Sequence, residues 1–189
     1  MKSETRSVAE LIDIPKYGRA VRQVPKKLGH AQLNVAAEAE DGTKFAVFVR
    51  VLIDLPESFS IGLAVLHPNG NTILFRLNGD HGDHGNDPDD VFDGPHIHQP
   101  TDAQRAAPPA PGTKPRFAVQ ITMPVAPSLG MFWPMFKDAV HLHVDNKVDR
   151  KISKIYKDLA QEDLGLSDDD DDDTDDDAGG TDGGSTEEA

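Results

Sequence analysis

Cysteine is missing from this chain of 189 residues. Its absence removes disulfides, thiolate nucleophiles and cysteine-based zinc ribbons together. No apolar run approaches the roughly 20 residues that span a bilayer. Met1–Asp13 has scattered charges and no apolar core, so it does not read as a secretory signal. These absences predict a soluble, cytoplasmic protein with no membrane partner. The phosphate-cradling P-loop, the dinucleotide fingerprint G-x-G-x-x-G and the nucleophile elbow G-x-S-x-G are also missing, so nucleotide-dependent and serine-hydrolase chemistry gain no support. Hydrophobic content is only 37%, low for a chain folded along its whole length. No internal repeat of 20 to 50 residues is present.

What is there is unevenly charged. The formal net charge is −14. Asp168–Asp173, Asp175–Asp177, Asp182, Glu187 and Glu188 supply 12 of the acids after Leu166, with no Lys or Arg among them. The rest of the chain is close to neutral, so the acidity belongs to a tail and not to a fold. Six successive aspartates repel one another, and Gly179-Gly180 and Gly183-Gly184 add freedom, which predicts a disordered segment over 167–189. The opposite end is basic. Residues 1–30 hold Lys2, Arg6, Lys16, Arg19, Arg22, Lys26 and Lys27 against Glu4, Glu10 and Asp13. This predicts an N-terminal arm with a short helix over 3–14, read as a contact for a phosphate backbone, as a partner for the chain's own tail or as a plain solvated loop.

Between the two ends the pattern is that of strands. Leu33, Val35 and Ala37 alternate with polar or small residues. Phe45–Ile53, Phe59–Leu66 and Thr72–Leu77 are rich in β-branched and aromatic residues. Asp41-Gly42 and Asn69-Gly70 are hairpin signals between them. Four strands on short turns form an antiparallel meander, and the dense run 45–53 should be central and covered on at least one face. Phe117–Met123 reads as a further strand after an Ala/Pro-rich surface loop over 101–115. Residues 129–140 favour a helix, with Pro134 in its first turn, although Val140, Leu142 and Val144 also suit a strand. Val148, Ile152, Ile155, Tyr156 and Leu159 make a helical stripe over 147–164. The fold class is therefore α+β, an antiparallel sheet covered by one or two C-terminal helices, with the core domain over 31–166.

The segment Asn78–Thr101 breaks this rhythm. It holds His81, His84, His96 and His98, with Asp80, Asp83, Asp87, Asp89, Asp90 and Asp93 and four glycines. If 95–99 is extended, His96 and His98 point to one side. Glycines around His81 and His84 would let the chain curl those rings toward them. One reading is a divalent metal site, zinc or manganese, with Asp83 as carboxylate ligand; no tight metal signature is matched. A second is metal-free cleavage of a phosphodiester, with histidines as acid and base and Arg76 steadying the phosphate. The third is a plain polar turn. His141 and His143, placed on a helix, would lie about 200° apart and could not chelate together. His30 and His67 read as turn-flanking residues.

Asn71–His84, a strand followed by a Gly/Asp/His cluster, resembles the corresponding segment of small bacterial toxin–antitoxin proteins of the TumE kind. The later His96-Ile-His98 is similar to a His-x-His of uncharacterised mobile-element proteins. The resemblance spans about 60 residues of meander and loop. It implies a toxin-like role against nucleic acid, RNA more than DNA, with a partner protein encoded nearby, and it makes His81, His84, His96 and His98 the positions to test. The leading expectation is a nuclease or phosphodiester hydrolase. Its rivals are a noncatalytic binding module acting through arm and tail, and a metal-binding protein.

Overall fold

The computed structural model describes residues 6–27, 29–80, 84–85, 91–122 and 126–163. The acidic tail after Leu166, His81 and Asp83 lie outside these residues. In chain order the elements are α1 (Val8–Asp13), β1 (Lys16–Lys27), β2 (His30–Glu38), β3 (Lys44–Leu52), β4 (Leu55–His67), β5 (Gly70–Asn78), β6 (His84–Gly85), β7 (Val91–Phe92), β8 (His96–Gln99), α2 (Asp102–Ala106), β9 (Phe117–Gln120), α3 (Leu129–Ala139), β10 (Leu142–Val144) and α4 (Asn146–Asp163). Eight strands form one sheet in the order β10-β1-β2-β3-β4-β5-β8-β9, and β6 pairs with β7 separately. All pairings are antiparallel except β1 with β10.

Alternation gives the sheet two unlike faces. Ala31, Leu33, Val35 and Ala37 of β2 are buried, as are Phe45, Val47, Val49 and Val51 of β3. Register sets Val35 beside Val47, and Val47 beside Leu63. These in-phase side chains form one apolar layer, each buried Val, Leu or Phe contributing about 1.5–3 kcal/mol. Helices α1, α3 and α4 cover that layer. Phe132 and Phe136 of α3 are fully buried in it, Phe132 meeting Phe59 edge-on and Phe136 meeting Phe75. The α+β expectation holds, with β3 central. Both hairpins turn at glycines of positive φ, Gly42 at 84° and Gly70 at 130°, where a side chain would be strained.

Several local expectations are revised. Residues 16–27 are a sheet strand, not an arm. β10 pairs only with Lys16, Tyr17 and Gly18, so among the described residues the rest of β1 lies along the sheet border, where the exposed Arg19 and Arg22 discourage pairing with other chains. Lys16 is fully buried. Its Nζ donates to the carbonyls of Ile12 (2.8 Å), Ile14 (2.7 Å) and Val140 (2.9 Å), and lies 5.0 Å from the Phe45 ring centre. It ties the end of α1 to the end of α3. Helix α1 starts late because Ser7 and Glu10 form a capping box that fixes the first turn there. The Ala/Pro loop contains α2 and is pinned. Thr72 Oγ1 donates to Ala110 O at 2.7 Å, Ile73 N to Thr113 O at 3.0 Å and Val8 N to Ala107 O at 2.9 Å.

Residues 129–144 satisfy both of their readings in turn. α3 ends at Ala139, His141 turns the chain at φ 49°, and β10 follows. His141 and His143 are therefore not on a helix, and His143 stacks on Tyr17 at 5.3 Å. Pro134 is the sixth residue of α3, beyond the first turn, so the Gly130 carbonyl has no i+4 donor.

Candidate functional site

The face of the sheet turned away from the helices carries two adjoining polar rows. Cross-strand partners in an antiparallel sheet project to the same side. One row reads Arg22, Asn34, Phe48, Gly62, Arg76, His98, Ala118 from β1 to β9; the next reads Gln32, Arg50, Ser60, Asn78, His96, Gln120 from β2 to β9. Together they bring three arginines and two histidines side by side, with no carboxylate in either row. Gly62 makes room for an aromatic ring: a Cβ there would lie 2.1 Å from Phe48 Cζ. Phe48 is half-buried and Arg50 exposed.

A hydrogen-bonded chain fixes Arg76 within this face. Its Nε donates to Ser60 Oγ at 3.0 Å and to Asn78 Oδ1 at 3.1 Å. Ser60 Oγ also donates to Asn78 Oδ1. With its carbonyl oxygen so engaged, Asn78 turns its amide nitrogen toward His96 Nε2 at 2.9 Å. His96 Nδ1 lies 2.8 Å from the Gly94 carbonyl, which can only accept. The proton is therefore on Nδ1, and Nε2 accepts from Asn78. Ser60, Asn78 and His96 are all buried, so the chain works in low dielectric, where satisfied polar groups rigidify their surroundings.

The terminal nitrogens of Arg76 have no hydrogen-bond or ion-pair partner among the described residues. Burial lowers the Arg76 pKa from its ordinary value, and the nearby charge of Arg50 lowers it further. Arg50 and Arg76 thus line one recess of about 240 Å³, together with His30, Ser58, Phe59 and Ser60. An anion in that recess would offset the repulsion between the two charges and favour the protonated form of Arg76 by pairing with it.

The expected site residues distribute unevenly over this geometry. His96 and His98 do share one side of β8, with ring centres 4.9 Å apart and edge to face. Arg76 is the register partner of His98. His96, however, has both ring nitrogens engaged and presents no lone pair to a metal. His84 lies in β6, but its side chain, like His81 and Asp83, falls outside the described residues. Among the described residues no three His, Asp or Glu side chains gather to hold a metal ion. Arg50 and Ser60 belong to the site without having been singled out from the sequence, and His30 and Asn78 belong to it although the sequence marked them only as a turn-flanking residue and the start of the histidine segment. The available signal for Arg50 was the one that Arg76 shares, a charge inside an apolar strand at a position out of phase with the core.

Fold and site define an α+β protein whose sheet face away from the helices, open at Arg50 and closed over Ser60, Asn78 and His96, is cationic and partly aromatic. Compared with protein-family models, curated proteins and solved structures, the chain matches none. No helix among the described residues is long and apolar enough to cross a membrane.

Proposed function

We propose that the open sheet face binds a phosphodiester strand, single-stranded RNA in particular, and cleaves it in the manner of a small toxin nuclease. The observation that carries this reading is the Arg50–Arg76 pair: two arginines lining one recess, one half-buried, with no carboxylate paired to either among the described residues. Guanidinium forks match phosphate oxygens, and a sheet presenting an aromatic ring beside arginines suits unstacked bases. His98, beside Arg76, is the proton-transfer group. In RNA cleavage a base takes the 2′-hydroxyl proton, the 2′-oxygen attacks phosphorus, and the 5′-oxygen leaves with a proton from an acid. The products are a 2′,3′-cyclic phosphate and a 5′-hydroxyl. His98 serves one of these transfers, and the loop histidines His81 and His84, which follow Asn78 in the chain, are assigned the other.

The test is incubation of a fluorescent single-stranded RNA with wild type, His98→Ala, His81→Ala/His84→Ala and Arg50→Gln/Arg76→Gln. Loss of one acid–base group should lower the cleavage rate about 10²–10⁴-fold while leaving RNA bound. The arginine variant should lose binding. Cleavage unaffected by His98→Ala sinks the catalytic assignment. Binding without cleavage in wild type would support the second reading, a module that holds RNA without cutting it. The engaged state of both His96 nitrogens favours that alternative.

A further inference from the structure

A second cationic surface lies on α4, in the helical layer and not on the open sheet face. Lys147, Arg150, Lys151, Lys154 and Lys157 are all exposed. At about 100° per residue they fall within an arc of about 120° on one side of the helix. Asp158 is the acid whose position falls in that arc. Among the described residues none of the five bases has an ion-pair partner, whereas Lys137 of α3 is held by Asp149 at 2.8 Å. Five adjacent cations repel one another, and this arc has no structural use in the packing of α4, which buries Val148 and Ile152 instead.

We propose that this arc is the docking surface for the chain's own aspartate run, Asp168–Asp173. Three observations select that occupant. The first is charge: the sequence after Leu166 has 12 acids and no base. The second is attachment. The run follows directly from α4, and a tethered segment reaches its site at an effective concentration in the millimolar range. The third is length. From Asp163 back to Lys147 the helix measures about 24 Å at 1.5 Å per residue. Leu164–Ser167 is long enough to reverse the chain. Six extended aspartates would then span about 20 Å, enough to run back along the arc past Lys157 and Lys154 toward Lys151 and Arg150. Each contact is a weak surface pair, so the docked arrangement is salt-sensitive. It is independent of what the sheet face binds.

The absence of cysteine makes the test direct. Thr174→Cys in the full chain gives one attachment point for a nitroxide label, and amide signals are read for broadening. At about 20 mM salt, residues 147–157 should lose more than half their intensity, and about 0.5 M salt should restore it. Lys147→Ser/Lys151→Ser/Lys154→Ser, changed only at exposed positions, should restore it at low salt as well. Broadening that is absent, indifferent to salt and to the triple variant, or centred on the rows of Arg50 and Arg76 overturns the proposal.

Discussion

Asn78 joins the two halves of the candidate site. Its oxygen accepts from Arg76 and Ser60, and its nitrogen faces His96. Asn78→Ala should therefore leave a buried imidazole nitrogen and a buried hydroxyl short of partners, at a cost of about 1–3 kcal/mol for each unsatisfied group. Urea unfolding of this variant should show that loss, whereas a change under about 0.5 kcal/mol would mean the network carries little weight. Lys16 makes a different residue-scale prediction. Burial lowers its pKa from 10.5 to about 8, with Asp13 opposing that shift. Between those two values the unfolded chain binds the additional proton, so stability should rise with pH across that interval. Lys16→Met lacks the titrating group. The stability of wild type relative to Lys16→Met should accordingly increase from pH 8 to pH 10.5, and a flat or falling difference would contradict the burial of the amine.

At the scale of elements, Gly79 fixes where β5 gives way to the histidine loop. A Cβ there would lie 2.1 Å from the Glu57 carbonyl oxygen, backbone that cannot swing aside. Gly79→Ala should cost about 1–3 kcal/mol, as overpacking does, and a thermal melt matching wild type would show that the loop root is not tightly seated. Strands β2 to β5 were legible because their alternation and their two glycine turns point to one answer. Helix α4 was legible from its apolar spacing, of which Val148 and Ile152 are buried. β1 was not, since Lys16–Lys27 has the composition of a solvated arm and becomes a strand only by pairing its backbone with β2. The recess between Arg50 and Arg76 was illegible for a related reason. It depends on the register of β3, β4 and β5, and a sequence read strand by strand does not give register. The histidine pair on β8 was legible because two positions apart on a strand is a local rule. The burial of His96 and its bond to Asn78 come from β5 lying alongside, which is not local.

For the whole molecule, charge is divided between a cationic pair of surfaces and an acidic end. Removing residues 167–189 takes away 12 of the 33 acidic residues and none of the 19 bases. Surface ion pairs of the kind proposed for the aspartate run add little to stability, so the truncated protein should melt within about 2 °C of wild type; a larger drop would mean that the tail packs into the fold. The central claim is that phosphate is held by Arg50 and Arg76 on the open face. It is tested most directly by the salt dependence of single-stranded RNA binding, with wild type compared against Arg50→Gln/Arg76→Gln. The account predicts an affinity at least about tenfold lower for the variant and a log–log salt slope shallower by about 1.4, the value for two phosphate contacts on a single strand. Equal affinities and parallel slopes for the two proteins would contradict it.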